Sequence, residues 1–294
     1  MTTNPPEWFR TALAAPVEAA TTEVDGATIA YRTWGEPGGE GLVLVHGGAA
    51  HSRWWDHIAP LLVEGRRRVV ALDLSGHGDS THRDAYTLDG WAGEIFAVAE
   101  AAGITAPPVV IGHSMGGFVT LRAATLCGTR LTGAVVIDSP VHDITPEENA
   151  ARENRAFGPR RVYDTVDQAL SHFHPVPDQP ALDYIAAHVA AESIQQVEGG
   201  WSWKFDPRIF GRPPMTPSLL TRLDCRVALF RGEHGILSQQ MSEVMYDRLG
   251  RAAPVIEIPD AGHHVMLDRP LALVTALRTL LSDWNHSQPT TEAG

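Results

Sequence analysis

A chain of 294 residues can bury a large core, either as one domain with an insertion or as two small domains. Its formal net charge is −12, with 35 Asp and Glu spread through the sequence, which argues against nucleic acid or an anionic membrane surface as a partner. No apolar run approaches the roughly 18 to 20 residues needed to span a bilayer. The start shows no basic segment followed by an apolar one, so a cytoplasmic protein with reduced cysteines at 127 and 225 is expected.

Residues 1–20, rich in Pro and Ala, read as an N-terminal arm with Trp8 and Phe9 folding back onto the body. The core, expected over 21–140 and 218–285, opens with residues that alternate around Asp25-Gly26, a hairpin signal. The run "LVLVHGG" ends in glycines, as a strand buried on both faces of a parallel sheet does. A helix over 52–63 should follow, carrying Trp54, Trp55, Ile58, Leu61 and Leu62. A second buried strand then runs into the polar turn "DLSGHGDS", and a helix over 88–102 leads to "VVIGHSMGGF" at 109–118. "LTGAVVIDSP" is one more buried strand, ending at Asp138. Strands alternating with helices predict an α/β fold with a mostly parallel central sheet flanked by helices.

From 141 to 217 the pattern changes to helical pieces without a convincing buried strand, with prolines at 175, 177, 180, 207, 213, 214 and 217. This stretch reads as an α-helical cap inserted after the sixth strand. The core resumes with "CRVALFRG", a helix over 238–249, the strand "APVIEIP" and a last helix over 269–284. Residues 286–294 read as a disordered tail.

Ser114 stands between Gly112 and Gly116 at a strand-to-helix junction, the arrangement of a nucleophile elbow. A serine hydroxyl needs a base and a group that orients the base. The loop "DAGHH" after the last strand offers His263 and His264. His263 is favoured because Gly262 gives its ring freedom to reach Ser114. The amides of Met115 and Gly48 are the expected oxyanion donors. His46 is expected to brace the Gly48 loop, and Asp73, His77 and Asp79 to hold a structural turn.

In their order, "HGG", "DLSGHGDS", "GHSMGG", the Pro-rich insertion and "AGHHVMLDRP" resemble the α/β-hydrolase superfamily over about residues 22–284. The resemblance implies an α/β-hydrolase fold and a triad. In that family the acid usually stands at the fourth position of a "GxxD" turn after the cap, which here is Gly235. Some branches, haloalkane dehalogenases and certain lactonases among them, keep the acid after the strand that follows the elbow helix. Asp138, 138 − 114 = 24 positions beyond Ser114, is therefore the expected acid, with Glu233 as the alternative.

The expected activity is a cofactor-independent serine hydrolase acting on a carboxylic ester or lactone. The alternatives are a cofactor-free dioxygenase of the same fold, a carbon-carbon bond hydrolase, or a non-catalytic ligand-binding protein on the scaffold. A small apolar or aromatic substrate is expected, with a pocket drawn from His113, Trp201, Trp203 and His264, although the cap aromatics could equally form the cap's own core. Lys204 and Asp206 are candidates for a pair at a cap hinge. His172 and His174 lack a third ligand at metal spacing, and no nucleotide-binding motif is present, so neither metal nor cofactor is expected. A homo-oligomer is compatible with the sequence.

Overall fold

A computed structural model describes residues 4–157 and 161–287. The expected tail beyond position 287 lies outside the described residues. An eight-stranded sheet has the order β1-β2-β4-β3-β5-β6-β9-β10. Its strands are β1 (Glu18–Val24), β2 (Ala27–Trp34), β3 (Gly41–Val45), β4 (Arg68–Leu72), β5 (Val109–His113), β6 (Gly133–Ile137), β9 (Arg226–Gly232) and β10 (Val255–Ile258). The β1–β2 hairpin turns at Asp25-Gly26, and β2 pairs antiparallel with β4. Every pairing from β4 across to β10 is parallel.

Strands β3 to β6 are buried at every position, which is why they read as continuous apolar runs rather than alternating ones. Alternate side chains serve different faces. Val43, Val45, Val70, Leu72 and Val136 join one core, and Leu42, Leu44, Val69, Ala71 and Ile137 join the other. Each such Val, Leu or Ile side chain contributes roughly 1.5–3 kcal/mol by leaving water.

Ten α-helices accompany the sheet among the described residues. Those of the core are α1 (Glu7–Leu13), α2 (Ala59–Leu62), α3 (Leu88–Ala101), α4 (Met115–Cys127), α8 (Gln239–Arg248), α9 (Val265–Asp268) and α10 (Pro270–His286). The stretch 141–217 holds α5 (Pro146–Phe157), α6 (Val166–Ser171) and α7 (Asp183–Glu192), together with a hairpin of β7 (Ile194–Val197) and β8 (Gly200–Trp203). That hairpin departs from the all-helical expectation. Its strands are four residues each, too short and too mixed in polarity for periodicity to reveal.

Two further departures have local causes. Within the N-terminal stretch α1 buries Phe9 at 3% exposure, with its ring edge-on to Tyr184 at 4.9 Å, so Phe9 folds back onto the body as expected. β1 starts at Glu18, inside the expected arm. The helix expected over 52–63 is split into a 3-10 turn at Ser52–Trp55 and the short α2. Asp73 accepts the Ser52 amide at 2.6 Å, which pins the start of that segment to the neighbouring loop. No described helix is long and apolar enough to cross a membrane, and Cys127 and Cys225 are free thiols.

Histidines are conspicuous in the interior. Burial drives His46 and His57 down to about 4 and His264 to about 3, and holds His51, His77 and His113 well below the ordinary value. Burial pushes Asp73, Glu94 and Asp268 in the opposite sense, upward. The folded imidazoles refuse protons that the unfolded chain takes up below about pH 6.5. Each therefore costs stability as pH falls from there toward its folded value, by about 1.4 kcal/mol per pH unit at most, while the three carboxyls offset part of the loss. Six imidazoles against three carboxyls set the net sign. The melting temperature is expected to fall steeply from pH 6.5 to 4.5 in calorimetry; a flat profile over that window contradicts this account.

Candidate active site

Gly112 and Gly116 permit the sharp turn between β5 and α4. A side chain at Gly112 would meet the Gly116 carbonyl at 2.2 Å, and one at Gly116 would meet the His46 carbonyl at 2.4 Å. Ser114 sits between them at φ 53°, ψ −119°, a conformation that costs roughly 1–3 kcal/mol for a residue with a Cβ. Its amide donates to the Ile137 carbonyl at 2.9 Å, which fixes the turn to the end of β6.

The His263 ring lies across this turn. Its Nε2 is 3.0 Å from Ser114 Oγ, and its Nδ1 is 2.7 Å from Asp138 Oδ2. Asp138, at φ 46° directly after β6, is fully buried. Its carboxylate also accepts the amides of Gly232 at 3.2 Å, Ile236 at 2.8 Å and Leu237 at 3.4 Å. Gly235 abuts it: a Cβ there would stand 2.2 Å from Asp138 Oδ1. The carboxylate from β6 thus fills the space beside the turn that follows β9. Glu233 is exposed and accepts the Asp260 amide at 2.9 Å, so it is not the group at the imidazole.

The loop after β3 lies over the elbow. A side chain at Gly47 would meet His113 Nδ1 at 3.0 Å and Ser114 Cβ at 3.3 Å, and one at Gly48 would meet Met115 Cβ at 3.8 Å. His46 holds this loop as a neutral ring, donating from Nδ1 to the Gly47 carbonyl at 2.7 Å and accepting the Leu74 amide on Nε2 at 3.1 Å. Ala49 takes φ 60° beside it.

A cavity of about 830 Å³ opens onto Ser114 and His263. His113, His264 and Trp203 line it, joined by Trp54 and Phe173. Trp201 does not. It lies two residues back along β8, forms a bridge with Tyr163 and packs on the insertion's own small core with Ala169 and Ile194. His113 donates from Nε2 to the His263 carbonyl at 2.9 Å, steadying the ring's backbone.

The alpha/beta hydrolase family model matches residues 42–277. The chain belongs to that family. Over 258 residues it is 28% identical to the dihydrolipoyllysine-residue acetyltransferase component of an acetoin cleaving system from Pseudomonas putida, covering 84% of this chain and 64% of that protein. It is also 24% identical to lipase LipV of Mycobacterium tuberculosis over 271 residues, 84% of this chain and 95% of the lipase. Among solved structures, a thioesterase domain from the curacin biosynthetic pathway superposes with a TM-score of 0.75 at 20% identity, covering 90% of this chain and 99% of that one; the likeness is one of fold.

In this α/β hydrolase the "DLSGHGDS" turn links core to insertion. Asp73 accepts the Ser52 and Asp79 amides at 2.6 and 2.9 Å. The Gly78 amide donates to the Lys204 carbonyl at 2.8 Å, and Asp79 pairs with Lys204 at 2.7 Å. The Lys204–Asp206 pair expected from their spacing is therefore not formed. Asp206 instead takes Arg208 at 2.7 Å and the Tyr86 hydroxyl at 2.8 Å, while Lys204 is taken by Asp79.

Sequence reading missed Gln179. From the insertion it accepts the His264 amide at 2.7 Å and donates to Asp268 at 2.9 Å, while Asp268 accepts the Gly262 amide at 2.7 Å. Together they hold the histidine loop. A lone Gln in a Pro-rich stretch carries no local signal of such a contact.

His113, His263 and His264 each bring one ring nitrogen within 4.8 Å of the others, and exposed Glu233, His234 and Asp260 form a second such group. Both His263 nitrogens are already engaged by Ser114 and Asp138, so an ion at the first group would have to displace one of them.

The elbow's steric demand can be measured. Gly116→Ala drives a Cβ into two carbonyls of the β3 end and is expected to cost about 3 kcal/mol. Gly93→Ala, in α3 with open space around it, is expected to gain about 0.5–1 kcal/mol. Urea midpoints of the two variants should move in opposite directions.

Proposed function

We propose that this protein is a serine hydrolase that cleaves a carboxylic ester or lactone through an acyl-enzyme intermediate. The observation that carries the reading is the continuous chain Ser114 Oγ, His263, Asp138 with contacts of 3.0 and 2.7 Å. Ser114 attacks the carbonyl carbon while its proton passes to His263 Nε2. Asp138, accepting from Nδ1, holds the ring in the tautomer that leaves Nε2 free and stabilises the imidazolium once it forms. The amides of Gly48 and Met115 receive the oxyanion, with Met115 at the positive end of α4. Collapse releases the alcohol, protonated by His263, and water repeats the sequence on the acyl-enzyme.

Residues 141–217 serve as a cap that selects the substrate. The aromatic lining from Trp54, Phe173 and Trp203 supports an apolar or aromatic small molecule. Reduced, unpaired cysteines are in keeping with a cytoplasmic setting.

Ser114→Ala is expected to lower kcat/KM for 4-nitrophenyl esters by about 10⁴-fold or more and to abolish labelling by a fluorophosphonate probe. A wild-type protein that resists the probe contradicts the reading. Asp138→Gly is expected to lose a comparable share of activity. The double variant Asp138→Gly, Gly235→Asp returns a carboxylate to the same space from the other side and should recover at least tenfold over the single variant; no recovery in a folded double variant contradicts Asp138 as the orienting acid.

A further inference from the structure

The cavity has a charge opposite to that of the protein. No Asp or Glu lines it among the described residues, whereas Arg152, Arg161 and Arg212 do, on a chain of net charge −12. Arg161 is exposed, but the other two are drawn inward. Arg212 is 9% exposed, and its guanidinium lies 5.3 Å from the centre of the Phe118 ring. Phe118 is one helical turn beyond Ser114 on α4 and also lines the cavity. Arg152, on α5, donates to the Arg212 carbonyl at 2.5 Å, and Arg212 donates to the Pro213 carbonyl at 2.9 Å.

Neither guanidinium has a carboxylate within 4.0 Å among the described residues. Buried Arg68 does, pairing with Glu18 at 2.9 Å, and so does half-buried Arg83, pairing with buried Glu94 at 3.1 Å. A guanidinium carries five N–H donors, and burying a cation without a counter-charge is costly. Two such groups side by side repel each other as well. Burial and the Arg152 charge together bring Arg212 down to about 9. Such an arrangement is relieved when an anion enters, and the N-terminus of α4 adds to the same positive field.

We propose that the substrate carries an oxyanion, a carboxylate or a phosphate, away from its scissile carbonyl, and that Arg152 and Arg212 bind it while the carbonyl lies at Ser114. The apolar walls then take the linking chain. This rests on the reading of Ser114 as nucleophile, so one arm of the test does without turnover.

The kinetic arm compares mono-4-nitrophenyl glutarate with 4-nitrophenyl pentanoate, which share acyl length and differ in the terminal carboxylate. Wild-type kcat/KM is expected to favour the glutarate ester by about 10- to 100-fold, the range for charge-assisted hydrogen bonds. Arg152→Met and Arg212→Met should shrink that ratio tenfold or more, with Arg212→Lys keeping part of it. The binding arm titrates glutarate and butyl phosphate into Ser114→Ala by calorimetry; at least one is expected to bind, and binding should be lost when Arg212→Met is added. The stronger of the two identifies the anion. A pentanoate ester turned over as well as the glutarate ester, or a Ser114→Ala protein that binds neither anion, overturns the proposal. Binding without turnover of either ester keeps the anion site and overturns the hydrolase reading instead.

Discussion

A buried carboxylate must have its oxygens filled, and the region around Asp138 is built to that requirement. The amide of Gly232 at the end of β9, those of Ile236 and Leu237 in the loop that follows, and the imidazole of His263 surround it. Supplying these donors forces the loop after β9 to wrap closely around the end of β6, and Gly235 is the residue that lets it pass. Removing the carboxylate would orphan the loop amides and the imidazole together. The geometry of the candidate triad and the packing of the sheet's carboxyl edge are therefore one problem with one solution.

Strain is concentrated along the same edge. Ala49, Ser114 and Asp138 all adopt positive φ without being glycine, each at the exit of a central parallel strand. Such conformations persist only when the surroundings over-determine them. Here the surroundings are the two apolar layers and the glycines that let backbone approach backbone. The neutral ring of His46, with one nitrogen donating and the other accepting, ties the loop after β3 to the loop after β4. Burial that keeps such rings uncharged serves the architecture at neutral pH and makes it vulnerable to acid.

The insertion completes the site without supplying the reacting atoms. Gln179 steadies the histidine loop, Lys204 and Asp206 fasten the insertion to the core, and Arg152 and Arg212 give the cavity a positive lining in an acidic protein. In the reaction proposed above, the residues that select the substrate and those that carry the chemistry come from different parts of the chain and meet at Ser114.

Sequence alone determined the parallel strands, because burial on both faces forces unbroken apolar runs. It also determined the elbow, because only glycine fits at positions 112 and 116. The histidine loop and the absence of an acid at Gly235 were equally legible, being local patterns. The partner of His263 was narrowed to two carboxylates, and only the fold separated them, since the choice depends on which strand ends lie side by side. The 3-10 break after His51, the short β7–β8 hairpin, the removal of Trp201 from the cavity and the role of Gln179 were decided by tertiary structure alone. So was the meeting of Arg152 with Arg212, sixty positions apart. Each of these rests on contacts between segments distant in the chain, and periodicity carries no information about which distant segments touch.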